Sequence, residues 1–183
     1  MEVELLCDNE WLQLKNMVDK ENDINGYVFS HEIRCNGKIV AIMPYCKNRG
    51  LMLRSEVTPC WHPTEEQLSS ITGGVDTGNT VEETAIHELK EEANIDATEG
   101  DLINLGECRG TKSTDTVYHL FGIDVTGVED IGKGEGDGSA LEAKAHCLFV
   151  PAVEAYTAVD PIVGMLYLRL QEELDKQGER MPL

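Results

Sequence analysis

Positive charge is scarce in this chain. Its 183 residues hold 15 Lys+Arg against 34 Asp+Glu, a formal net charge of −19. A field of that sign repels nucleic acid and anionic membranes, which disfavours a long polyanion as partner. A small anionic substrate would need local cations, either clustered Arg and Lys or metal ions held by carboxylates. Long apolar runs are missing too. No stretch approaches the roughly 18 apolar residues of a membrane span. The opening MEVELLCDNE has no basic n-region and no apolar h-region, so no signal peptide is expected. The six cysteines (Cys7, Cys35, Cys46, Cys60, Cys108, Cys147) stand singly, without a CxxC pair or zinc-type spacing. Scattered thiols without a secretion signal point to a reducing cytoplasm.

What is present is ordinary for a globular protein: 41% hydrophobic and 27% charged residues, enough for one domain or one domain with a small appendage. WLQLKNMV (11–18) fits strand alternation or a helical face, and a strand is the expectation. YVFSHEIR (27–34) alternates more clearly, and CNGK (35–38) carries the Asn-Gly hairpin signal. KIVAIMPY (38–45) reads as a buried strand and GLMLRSEV (50–57) as a second one. Residues 58–70, with two prolines and many polar side chains, read as a loop. DLINLGECRG (101–110), TVYHLFGIDV (116–125) and HCLFV (146–150) read as further strands, with a long Gly/acid loop at 128–144. Asp160-Pro161 opens a terminal helix running toward Gly178. The element order indicates an α+β sandwich, with helices flanking a mixed sheet.

The segment GGVDTGNTVEETAIHELKEEANI (73–95) carries the chemistry. Thr80 and Glu83 form a capping box, and Val81, Ala85, Leu89 and Ala93 give one apolar stripe. Asn94 falls where a helix would end in a left-handed residue. Glu88, Glu91 and Glu92 share an adjacent face, where like charges repel. A solvated acidic face is the plain alternative. Divalent cations would offset the repulsion, since Mg²⁺ is shared between a few carboxylates and substrate phosphates.

The segment resembles a Nudix box, G-x5-E-x7-R-E-U-x-E-E-x-G-U with U aliphatic. Gly73, Glu88, Leu89, Glu91, Glu92 and Ile95 match, whereas Asn79, His87 and Asn94 replace Glu, Arg and Gly. The resemblance implies a Nudix-type α/β/α sandwich with Glu88, Glu91 and Glu92 as ligands of Mg²⁺ or Mn²⁺, and His87 in the place of an orienting Arg. Most of the chain is similar to ADP-ribose pyrophosphatases. That similarity implies an N-terminal β extension (1–36) ahead of a hydrolase domain (37–183) and a homodimer. Trp11 and Phe29 match aromatic positions that stack on adenine. Arg34 and Arg54 match basic positions near the phosphates, and Gly73, Ser113 and Thr114 match substrate-contacting positions. Glu135, Asp137 and Glu142 are candidates for the general base, as are the box glutamates. The implied reaction is metal-dependent cleavage of ADP-ribose or a related compound to AMP and a sugar phosphate. NAD(H), a nucleoside triphosphate or capped RNA are alternative substrates, and a non-catalytic nucleotide sensor is an alternative class.

Overall fold

The structure, a computed structural model, describes residues 1–129, 131, 134 and 144–179. The first three strands, β1 (Glu2–Asp8), β2 (Leu12–Asp19) and β3 (Ile24–Glu32), form an antiparallel sheet of their own. The larger sheet contains β4 (Lys38–Cys46), β5 (Gly50–Val57), β6 (Glu66–Ser69), β7 (Ile71–Gly74), β8 (Leu102–Cys108), β9 (Val117–Asp124) and β10 (His146–Val150). Its main order is β10-β5-β4-β9-β8, with β4 and β9 parallel and the other pairs antiparallel. The helices are α1 (Val81–Ala93), the short α2 (Ala152–Thr157) and α3 (Pro161–Lys176).

Alternation along the central strands divides the core between the two faces of the sheet. Ala41, Met43, Leu53 and Leu120 face Leu166 and Leu170 of α3. Val40, Ile42, Met52 and Phe121 face Ala85 and Leu89 of α1. One helix layer covers each face, giving an α/β/α sandwich. The stripe expected on α1 is present: Ala85, Leu89 and Ala93 are fully buried. The α3 start is as expected, with Pro161 at its first turn and Asp160 Oδ1 accepting from Ile162 N at 2.8 Å.

The hairpin expectation at CNGK is corrected. The tight turn forms, with Asn36 at φ 50° and Gly37 at φ 69°, and Lys38 N donating to Cys35 O at 3.0 Å. Yet β3 and β4 belong to different sheets. The edges of β4 are taken by β9 on one side and by β7 and β5 on the other, so no edge remains for β3. The loop expected at 58–70 is also corrected over its last part. There β6 pairs with β5 through Arg54–Val57, and the chain then crosses to β4 as β7. The β4–β5 ladder holds only at Tyr45–Leu51 and Cys46–Gly50. Beyond it the two strands part, and β6 and β7 fill the fork. β7 delivers Gly73 and Gly74 to the foot of α1.

The N-terminal sheet is tied to the loop after β8. Ser30 N donates to Ser113 O at 2.9 Å, Asp115 N donates to Ser30 O at 3.2 Å, and His31 Nδ1 lies 2.9 Å from Asp115 Oδ2.

Candidate active site

The site is organised by α1 and its two ends. At the N-terminus Thr80 Oγ1 accepts from Glu83 N at 3.0 Å while Glu83 Oε2 accepts from Thr80 N at 2.8 Å. This reciprocal pair satisfies donors that the first turn leaves open. At the C-terminus Asn94 adopts φ 53° and ψ 37°, with Asn94 N donating to Lys90 O at 3.1 Å and Ile95 N to Leu89 O at 3.0 Å. Asn94 thus supplies the left-handed residue that glycine usually provides.

Between these caps the carboxylates separate into two environments. His87, Glu88 and Glu91 each place a potential ligand atom within 4.8 Å of the others. His87 Nδ1 lies 3.3 Å from Glu91 Oε2, and the imidazole is exposed. It thus meets Glu91, one turn on along the helix. Glu92 faces inward, with 10% of its side chain exposed, and pairs with the guanidinium of Arg54 through Nη1. Glu92 Oε2 is buried and has no hydrogen-bond partner among the described residues. Two carboxylates and an imidazole on one helix face suit a divalent cation, and the buried Glu92 Oε2 is a separate oxygen without a hydrogen-bond partner among the described residues.

Gly73 is required by close approach. A Cβ at this position would overlap the carboxylate of Glu88. Gly134 lies against the backbone of Glu91, near the C-terminal end of α1. Glu135, Asp137 and Glu142 lie outside the described residues.

A cavity of about 440 Å³ opens beside the carboxylates, lined among others by Glu32, Arg34, Gly73, Asp76 and Glu88. Cys35 also lines it; burial and the nearby Glu32 carboxylate push its thiol up to about 11, which keeps it protonated near neutral pH. The Arg34 guanidinium sits 4.7 Å from the centre of the Trp11 ring, a cation–π contact. Trp11 itself is 52% exposed. Phe29 is buried and borders a separate cavity of about 530 Å³ with Tyr27, Arg109, Lys112 and Thr114. The Thr114 hydroxyl bonds that of Thr116 at 2.7 Å, and Ser113 holds β3 through its carbonyl. The structure therefore brings Arg34, Gly73 and Glu88 to one cavity, joins Trp11 to Arg34, and puts Phe29 and Thr114 at another. Arg54 stands apart, with only 7% of its side chain exposed and a carboxylate on either side.

Asp76 carried no signal in the sequence beyond its place in the box loop. Trp61 was equally unmarked. It lines a cavity of about 210 Å³ together with Tyr118 and Asp160, and this cavity shares Ile39 and Thr72 with the one beside Glu88. A lone tryptophan in a proline-bearing loop gives no periodicity from which to place it.

Sheet order, helix layers and glycine-delivered carboxylate helix together define a class of α/β/α hydrolase folds. The NUDIX domain profile matches residues 38–160. The chain belongs to the NUDIX family and is a Nudix hydrolase. Among solved structures, it is similar to one described as "Crystal structure of ADP compounds hydrolase". The TM-score is 0.69 at 19% identity, over 97% of this chain and 94% of that one. At that identity the likeness speaks for the fold. No curated protein sequence matches the chain.

Proposed function

We propose that the protein hydrolyses the pyrophosphate linkage of ADP-ribose or a related ADP-sugar, giving AMP and a sugar phosphate, with Mg²⁺ or Mn²⁺ as cofactor. The observation that carries this reading is the gathering of His87, Glu88 and Glu91 on one helix face, with Glu88 lining a polar cavity that also presents Arg34 and the buried Oε2 of Glu92 left without a hydrogen-bond partner among the described residues. A similar fold in an ADP compounds hydrolase supports the substrate class. Divalent ions bound there would polarise the phosphoryl group and lower the pKa of the attacking water.

The residues of the chain divide the remaining work. Glu88, Glu91 and Glu92 hold the metal, and Gly73 gives the Glu88 carboxylate room. Arg34 binds a phosphate, and its contact with Trp11 fixes both side chains at the cavity rim. Trp11 stacks the base, and residues 1–36 act as the extension that closes the nucleotide side. In the proposed enzyme a carboxylate of loop 128–144, or one of the box glutamates, accepts the proton of the attacking water. A cytoplasmic homodimer completes the reading. Among the described residues no helix is long and apolar enough to cross a membrane.

A nucleotide panel tests this reading. ADP-ribose, ADP-sugars, NADH, nucleoside triphosphates and a capped RNA are each incubated with the protein and Mg²⁺, and the products are separated by chromatography. ADP-ribose or an ADP-sugar should be cleaved fastest, releasing AMP. Faster cleavage of NADH, triphosphates or capped RNA would reassign the substrate, and binding of ADP-ribose without turnover would make the protein a sensor.

A further inference from the structure

The family resemblance matches Arg54, like Arg34, to a basic position near the phosphates, but its surroundings fit another task. Its side chain is buried and lines neither the cavity beside Glu88 nor the neighbouring one under Trp61. A buried guanidinium must be paired. Arg54 sits between two carboxylates: Nε lies 3.2 Å from Glu56 Oε2, an ion-pair distance without hydrogen-bond geometry, and Nη1 meets Glu92 Oε1. Arg54 and Glu56 lie two residues apart on β5, hence on the same face of the strand.

The clasp is braced from both neighbouring strands. On β6, Ser69 stands opposite Arg54, and its hydroxyl donates to Glu56 Oε1 at 2.8 Å. On β10, Cys147 stands opposite Arg54, and its thiol donates to the Glu92 carbonyl at 3.5 Å. A continuous chain of contacts therefore runs from Ser69 through Glu56 and Arg54 to Glu92. It engages Oε1 of Glu92, while the buried Oε2 has no hydrogen-bond partner among the described residues. His87, within the helix, lies against Glu91 instead.

We propose that Arg54 is a positioning residue: it holds Glu92 in the rotamer that presents Oε2 to the metal, and it does not touch the substrate's phosphates. This inference rests on the metal-dependent reading above. The planar fork of arginine spans two carboxylates at once, whereas a lysine ammonium is a point charge on a different reach. Lysine at this position keeps the charge while releasing the geometry, so a change in R54K is not a change in net charge.

The test compares wild type, R54K and R54Q by calorimetric titration with Mn²⁺ in the absence of nucleotide, and by steady-state kinetics with ADP-ribose. Loss of a group supporting a metal ligand typically costs about 10- to 100-fold in metal affinity or activity. R54K should therefore lower the nucleotide-free Mn²⁺ affinity and kcat by about tenfold each, with KM within about twofold of wild type. R54Q should be worse on both counts; should R54Q not fold, R54K decides alone. Two results overturn the inference. One is a raised KM with unchanged Mn²⁺ affinity, which makes Arg54 a phosphate contact. The other is a lowered Tm with both affinity and kcat intact, which makes it structural only. Either can occur while wild type cleaves ADP-ribose, so failure here is distinct from failure of the proposed function.

Discussion

Glycine at position 73 is held there by the Glu88 carboxylate, which fills the space a side chain would need. The overlap of an added Cβ is with the Glu88 side chain and not with backbone, so Gly73→Ala should displace the carboxylate and leave the sheet standing. The expected outcome is a Tm close to wild type, by thermal melt, with Mn²⁺ binding weakened by about tenfold or more. For the carboxylates themselves, Glu91→Gln and Glu92→Gln should each lower kcat by at least about tenfold, one 1.4 kcal/mol step in the barrier, in assays at saturating metal. Trp11 makes a different contribution. Its exposed ring touches Arg34. Trp11→Ala should therefore raise KM for ADP-ribose more than it lowers kcat, and an unchanged KM would remove Trp11 from the site.

At the scale of elements, α1 shows what local sequence can specify. Its cap, its apolar stripe and its left-handed end were all legible, because each depends on residues within one turn of another. Thr80→Ala removes the side-chain half of the capping box and should lower stability by about 1 kcal/mol, a Tm drop of about 2–4 °C by calorimetry. Asn94→Gly should leave Tm unchanged or slightly higher, since φ 53° already suits glycine. The strands were legible where burial imposes a pattern, as in β4, and illegible where it does not. All seven residues of β1 are exposed, so no alternation marks it. The Asn-Gly signal specifies the turn but not a hairpin, because pairing depends on which distant strand claims the edge of β4. The same limit applies to the site. The spacing of Glu88, Glu91 and Glu92 is local and could be read from the box. The clasp around Arg54 depends on the registers of β5, β6 and β10, which no short window of sequence contains.

At the scale of the molecule, the acidic balance and the buried thiols govern its behaviour with pH. Burial pushes Cys147 up to about 11 from an ordinary value of 9.0, with Arg54 pulling the other way and Glu56 adding to the rise. The folded state therefore keeps a proton that the unfolded chain releases first. The associated stability is fully present below pH 9.0 and is lost as pH rises toward 11. Cys147→Ala should flatten the fall of Tm over that window, even if its Tm at neutral pH is lower. The N-terminal sheet meets the rest of the chain through β3 and the loop after β8; Arg34, just past β3, lines the cavity, with Trp11 against it, and neither belongs to the main sheet. Everything in the functional reading converges on one event at that cavity, the metal-dependent opening of a pyrophosphate. The direct measurement is AMP release from ADP-ribose by protein stripped with EDTA, followed before and after re-addition of Mg²⁺. The account predicts no release from the stripped protein and full recovery with the metal. Release that persists without metal, or none from folded protein after Mg²⁺ or Mn²⁺ is restored, would contradict it.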